Sequence, residues 1–339
     1  MTAGGRSPFV AIAFALPALT AERAYRALAR RINGAWPLRT INRRRLDHFH
    51  RTNASSGGHF YVIVMPGTLH FLLPCLRLLP SQQTVHLIAN GARAWERRRL
   101  VAAFPARPIV TLAALPGSSL AHGDVITLLL ERNAAPFGLL DHDCYVFDAT
   151  CFEGATPAPA ECLTGWFRSV GRKSGLAYAE TFFLILNAPL LRDIMRRHRV
   201  DARVYRRVPA RLRALVARIG LRDGVAFKDH HDYLDTLHLL VALALAEGGT
   251  LGFRGSAGGA VVHLGGTSAG APETKDLLEH YLQLRFLELA NDRELRARYR
   301  RRFRTFASSD DVRARIPMTP AAFARVGAID RLVERLRDA

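Results

Sequence analysis

The stretch FGLLDHDCYVF, residues 137–147, decides how this chain is read. Its apolar residues make a buried strand, and near the strand's end stand two carboxylates, Asp141 and Asp143, spaced i and i+2. At a fraying strand end that spacing lets both present oxygens to one hard divalent cation, whose other positions are open to a diphosphate. A pair of aspartates also serves as a simple loop cap, so its setting has to choose between the two.

Upstream, HFYVIVMPG (59–67) reads as a buried strand ending in a Pro-Gly turn, and 68–79 as an apolar helix. TVHLIANG (84–91) is a second strand with an Asn-Gly turn, followed by a charged helix from Trp95. ARPIVTLAAL (106–115) gives a third strand, AHGDVITLLLERN (121–133) a third helix, and the 137–147 stretch a fourth strand. Alternation at this spacing predicts right-handed crossovers and a parallel sheet that takes ligands at the carboxyl ends of its strands. The D-x-D closes the fourth strand and follows a helix beginning His122-Gly123, where such a sheet holds a nucleotide.

The second half reads as mixed. Residues 181–188 (TFFLILNA) look like a strand, and 189–199 and 209–219 like basic helices. Asp235 can cap a helix whose Leu237, Leu240, Val241 and Ala244 recur at i, i+3, i+4 and i+7. GGAVVHLGG around His263 is a strand running into a glycine turn, and 273–304 reads as one long Arg-rich helix. Ahead of His59, residues 43–58 lose apolar periodicity and read as a linker, preceded by a helical stretch capped at Thr20.

The chain has 339 residues, 49% hydrophobic and 23% charged, which excludes disorder and a disulfide-stapled miniprotein. Lys and Arg number 48 against 29 Asp and Glu, a formal charge of +19, and Lys occurs only at positions 173, 228 and 275. Ten arginines fall within 1–60 and eleven within 192–222. Guanidinium clusters suit phosphate through paired hydrogen bonds. Solvated helix faces, peripheral contact with an anionic membrane or acceptor, and, least favoured, nucleic acid are the readings. The apolar runs 9–19 and 239–246 are shorter than the roughly 20 residues a spanning helix needs, so none is expected. The first, with Arg6 ahead of it, has the outline of a secretion signal but is read as a buried strand. Four cysteines without a C-x-x-C pair fit a reducing cytoplasm and argue against a thiolate zinc site.

The pieces YVIVMPG, HLIANG, HGDVITLLLERN, LLDHDCYVF, YLDTLHLLVALALAEGG and VVHLGGTS stand in an order that resembles the GT-A glycosyltransferases, over about residues 59–270. The resemblance implies an α/β fold, a GT-A-like Rossmann-type mostly parallel sheet flanked by helices, with a mixed C-terminal half and a helical C-terminal extension. It divides the chain into an N-terminal extension and linker (1–58), a nucleotide-sugar-binding half (59–150), an acceptor-side half (151–270) and an Arg-rich helical extension (271–339). It implies hexosyl transfer from a nucleotide diphosphate sugar to a glycan, glycolipid or secondary-metabolite acceptor, by a cytoplasmic enzyme that can sit on the inner face of the membrane. Mn²⁺ or Mg²⁺ on the donor diphosphate would be held by Asp141 and Asp143, with His263 completing the set.

An imidazole is a suitable third ligand for manganese, although a strand histidine also serves as a hydrogen-bonded core residue. Gly265 and Gly266 let backbone approach a phosphate, and Thr267 or Ser268 offers a hydroxyl. Inversion at the anomeric carbon needs a carboxylate to take the acceptor proton. Asp229, Asp232 and Asp235 are candidates, with Asp232 preferred because Asp235 has a capping job available. Lys228 could neutralise a phosphate. Pro66, Gly67, Asn90 and Gly91 face the D-x-D edge as candidate nucleoside contacts, or as simple turns, with His122 and His142 placed beside the diphosphate. Relatives carry an acid near the second strand where this chain has Asn90, which leaves the donor base open. Trp166, Phe167 and Arg168 form either an acceptor-side loop or core packing. A metal phosphoesterase, from the triplet Asp229-His230-His231, and a basic RNA- or membrane-binding protein are the competing readings.

Overall fold

A computed structural model describes residues 24–339 except 26, 30, 54–57, 155, 230–231, 256–258, 266–276, 300–305 and 318. The expected strand at 9–19 and the cap at Thr20 lie outside the described residues. The first half follows the predicted alternation: β1 (Phe60–Val64), α2 (Leu69–Leu78), β2 (Val85–Ala89), α3 (Ala94–Ala103), β3 (Ile109–Thr111), α4 (His122–Arg132) and β4 (Phe137–Leu140). Ahead of them stands α1 (Trp36–Thr52). There follow β5 (Cys144–Val146), β6 (Glu161–Gly165), β7 (Arg168–Val170), β8 (Ala177–Ala179), β9 (Phe183–Leu186) and α5 (Ala188–His198). A short α6 (Arg213–Ala217) and α7 (His238–Ala246) lead to β10 (Thr250–Phe253) and β11 (Val261–His263). The chain ends in α8 (Leu277–Leu289), α9 (Arg293–Tyr299), α10 (Ser309–Arg313) and α11 (Pro320–Asp338).

The main sheet has the order β10-β6-β9-β4-β1-β2-β3. It is parallel except for β9, which runs antiparallel to both β4 and β6. All five residues of β1 are buried because both faces of this central strand are covered. Phe60, Val62 and Val64 enter one core with α2 and the C-terminal helices, while Tyr61 and Ile63 enter a second with α4, α5 and α7. Gly138 is required beside Phe60, since a Cβ there would lie 2.0 Å from the ring.

Several local expectations are corrected. Residues 43–52 are helix, not linker: Asn42, Leu46 and Phe49 form the buried stripe of α1, and the intervening arginines obscured that spacing. The fourth strand is two strands, β4 in the main sheet and β5 in a separate antiparallel pair with β11. The long helix is broken between α8 and α9, where Asn291 takes a left-handed φ of 44° and Asp292 accepts from the Leu295 N–H at 3.0 Å. The 209–219 region is a 3₁₀ turn at Ala210–Leu212 running into the five-residue α6. Asp235 does not cap α7, because the N-cap position belongs to Leu237 at φ 69°. No described helix is long and apolar enough to cross a membrane.

At the sheet edge opposite the D-x-D, His86 packs edge-on to Phe49 with centroids 5.1 Å apart, beside His59 and Tyr61. Burial, with His59 and His50 nearby, pushes its pKa down to about 4. The folded value lies below the unfolded one of about 6.5, so acidification costs stability from about pH 6.5 down to about 4, by up to about 1.4 kcal/mol per pH unit. Melting temperature should therefore fall more steeply across that window in the natural protein than in His86→Leu.

Candidate active site

Leu140 ends β4 where the chain leaves the main sheet. The Asp141 N–H donates to the Phe182 carbonyl at 2.8 Å, and Cys144 N–H closes the turn onto the Asp141 carbonyl at 3.1 Å. The chain then enters β5, whose register sets His263 of β11 opposite Cys144. Leu264 N–H donates back to the Asp143 carbonyl at 3.2 Å. The pairing brings ligand atoms of Asp141, Asp143 and His263 within 4.8 Å of one another. His263 Nε2 lies 3.4 Å from Asp143 Oδ1, and its ring stacks on Phe182 with centroids 3.8 Å apart. Two hard oxygens and one imidazole nitrogen on a rigid strand pair suit a divalent ion of the Mn²⁺ or Mg²⁺ kind. Burial first, then the neighbouring Asp143 charge, pushes the Asp141 carboxyl up to about 6. The Asp143 share of that rise is repulsion between two carboxylates, which a cation would relieve.

A second group of charges adjoins the first. Lys228 Nζ lies 3.3 Å from Asp235 and 3.6 Å from Glu180, and its charge reaches Asp141. Asp235 also acts on His122, whose pKa is lowered by burial. Burial opposes ionisation of Asp235, but the Thr236 N–H at 2.8 Å and Lys228 outweigh it, so the carboxyl sits below its usual value. The structure thus joins Lys228, Asp235 and His122 to the D-x-D side. Asp229 is held elsewhere: its carboxylate accepts from the N–H groups of Arg172 at 2.9 Å and Lys173 at 3.0 Å, bracing the β7–β8 hairpin. Asp232 is exposed and lines a shallow groove with Tyr205 and Arg206.

The strand-end residues expected to meet the nucleoside have structural partners. Asn90 is buried and takes both backbone groups of one residue, donating to the Leu120 carbonyl at 3.0 Å and accepting from the Leu120 N–H at 2.8 Å. Gly91 has φ 78°, and a Cβ there would lie 2.4 Å from the Ser118 carbonyl. Gly67, at φ 84° in the turn after Pro66, donates to Glu96 Oε1 at 2.8 Å. His142 is buried between the two aspartates. Gly265 follows β11 at φ 66°, while Gly266, Thr267, Ser268, His230 and His231 lie outside the described residues. Trp166 stacks on Phe183 in the core with centroids 3.8 Å apart, and Phe167 packs against Phe182.

Sequence reasoning passed over Glu180, Phe182 and Glu96. None belongs to a motif, and only the meeting of β9, β11 and α3 with distant chain gives them a role.

The sheet carries Asp141-x-Asp143 at the end of a central parallel strand beside a late histidine, an arrangement that resembles the one expected of the GT-A glycosyltransferases. More particularly, residues 39–191, less than half of the chain, match the StrH glycosyltransferase N-terminal domain family. Among solved structures, the chain is similar to an active-site mutant of LgtC, with 12% identity, a TM-score of 0.32, and coverage of 42% of this chain and 64% of that one. It is similar to the glycosyltransferase GlyE of Streptococcus pneumoniae TIGR4 at 9% identity and TM-score 0.33, covering 58% of this chain and 46% of that one. A third is the mannosyltransferase PcManGT of Pyrobaculum calidifontis, solved with GDP-Man and Mn²⁺, at 9% identity and TM-score 0.37, covering 86% and 81%. The chain thus spans less than two thirds of the length of the first two. No curated protein sequence matches it.

The raised Asp141 value fixes the sign of a stability test. A folded pKa of about 6 lies above the ordinary 3.8, so stabilisation is complete below about pH 3.8 and is lost as pH rises through about 6. At pH 7, without divalent ions, Asp141→Asn should raise the melting temperature, by the equivalent of about 1 to 3 kcal/mol. Added Mn²⁺ should raise the melting temperature of the natural protein further, and that rise should be absent in the same variant.

Proposed function

We propose that the protein is a metal-dependent glycosyltransferase that moves a hexose from a nucleotide diphosphate sugar to a glycan, glycolipid or secondary-metabolite acceptor. The observation that carries this reading is the convergence of Asp141, Asp143 and His263 at the carboxyl end of β4. Asp141 and Asp143 would hold a divalent ion through carboxylate oxygens and His263 through a neutral imidazole nitrogen. When bound, such an ion would supply charge neutralisation for a departing diphosphate. Phe182, stacked on His263, holds the imidazole plane so that its free edge faces the aspartates. Lys228 adds a positive charge on the same side.

On the acceptor side the reading favours Asp235 over Asp232. The reason for preferring Asp232 was a capping role for Asp235, and Leu237 occupies the cap position instead. Asp235 is ionised, partly buried and tied through Lys228 to the D-x-D, whereas Asp229 is committed to two backbone N–H groups. In an inverting reaction the Asp235 carboxylate would take the proton of the attacking hydroxyl.

The test is turnover on a panel of nucleotide sugars with Mn²⁺, following nucleotide diphosphate release with and without acceptor. Asp143→Ala should lower release by about a thousandfold, the several kcal/mol that metal assistance contributes. Unchanged release from the preferred donor would overturn the reading. Asp235→Asn should cut acceptor transfer by about 10² to 10⁴ with nucleotide affinity intact, and Asp229→Asn and Asp232→Asn should each cut it far less. His263→Ala should weaken Mn²⁺-dependent nucleotide binding, because it removes the nitrogen ligand while leaving both carboxylates in place.

A further inference from the structure

On the helical side of the sheet, α1, α4 and α5 enclose an open cleft of about 460 Å³. Six arginines line it: Arg39, Arg43, Arg132, Arg192, Arg196 and Arg199. Only two carboxylates share the wall, Glu131 and Asp201, and both are taken. Glu131 accepts from Arg39 and, in a two-pronged contact, from Arg43 at 2.8 and 2.9 Å. Burial pushes the Glu131 carboxyl up, but Arg43 and Arg39 more than reverse it, so it is ionised and spent on them. Asp201 turns to Arg203 outside the wall, at 2.7 Å from its Nε. Among the described residues no carboxylate pairs with Arg192 or Arg199.

Two buried nitrogens in this wall, Arg132 Nε and Arg192 Nε, have no hydrogen-bond partner among the described residues. Arg192 itself is oriented, since its Nη1 donates to the Asn133 carbonyl at 2.8 Å. Those two nitrogens are shielded from the cleft itself, but the uncompensated charge of Arg192 and Arg199 faces it, and a neutral or cationic occupant would leave that charge unmatched. Their planar forks fit an anion with several oxygens on one centre. The cleft is not part of the D-x-D site: α4 runs from His122, on that side, to Arg132, which at 1.5 Å per residue is about 15 Å away.

We propose that this cleft is a second anion site, which binds a phosphate or diphosphate group without a metal ion. The group belongs either to a soluble ligand or to a lipid headgroup, and the two sources separate by experiment. The site stands whether or not the transferase reading does.

The full-length protein is titrated with inorganic pyrophosphate by calorimetry, at low salt with EDTA present, which removes any metal-dependent binding at the D-x-D. In parallel it is floated with phosphatidylcholine vesicles that contain or lack phosphatidic acid. Saturable pyrophosphate binding assigns a soluble ligand, and flotation only with phosphatidic acid assigns a headgroup; both support the site. Arg192→Gln combined with Arg199→Gln should weaken the binding at least tenfold. Arg196→Gln, at an exposed position, is the variant that cannot be explained by misfolding and should weaken it measurably. Arg197→Gln, whose guanidinium pairs with Glu247, and Asp143→Ala should leave it unchanged. The proposal is overturned if neither probe binds, if the double variant binds as the natural protein does, if Asp143→Ala abolishes binding, or if poly-glutamate binds as tightly as pyrophosphate.

Discussion

The antiparallel pairing of Cys144–Val146 with Val261–His263 joins pieces of chain more than a hundred residues apart, and the chemistry of the site depends on it. β4 cannot carry the D-x-D inside the main sheet, because a central parallel strand is covered on both faces and ionised side chains would be buried there without partners. By leaving the sheet after Leu140 and pairing with β11, the chain puts Asp141 and Asp143 at a seam between two sheets. The register of three residue pairs then decides that a histidine stands beside them. A slip of one residue would turn His263 to the opposite face.

Away from the seam, buried polar side chains hold particular stretches of backbone in place. Three asparagines hold the segment after β3: Asn42 takes both backbone groups of Ala113, Asn33 the Leu115 N–H and the Ser119 carbonyl, and Asn90 both backbone groups of Leu120. Two of the three come from the N-terminal helical region, so that region positions the segment delivering His122 to the site. Glu96 has an equivalent part on the other side. Its buried carboxylate accepts from Gly67 N–H at 2.8 Å, Arg93 N–H at 2.7 Å and the Tyr299 hydroxyl at 2.6 Å, tying the β1 turn and α3 to the C-terminal helices. Buried groups satisfied this fully specify one arrangement, because any other leaves them unpaired.

The arginine excess divides into two kinds. Many guanidinium groups have carboxylate partners nearby, as Arg197 has Glu247, Arg315 has Asp311 and Arg298 has Glu294. Exposed pairs of this sort contribute little to stability, and they account for arginine as a solvated helix surface. The cleft between α1, α4 and α5 is of the other kind, where the arginines outnumber the acids that face them.

The sequence by itself determined the alternating half, from HFYVIVMPG to FGLLDHDCYVF, because buried strands there are short apolar runs, two of them closed by Pro-Gly and Asn-Gly turns, and α2 and α4 carry long apolar stripes. It also determined that Asp141 and Asp143 stand at a strand end. Local pattern could carry no further. The helix at Trp36–Thr52 was hidden because its buried stripe is one asparagine, one leucine and one phenylalanine among arginines. Asn90 and Gly91 read as a nucleoside contact or a turn, and their part in bracing Leu120 and admitting Ser118 exists only once that segment packs against β2. Which aspartate of Asp229, Asp232 and Asp235 faces the D-x-D was likewise left to the tertiary structure. Their spacing is the same in any fold, whereas the Arg172 and Lys173 N–H groups reach Asp229 from more than fifty residues away, and the course of the chain from 228 to 237 decides that Lys228 meets Asp235 and that Leu237 takes the left-handed cap position.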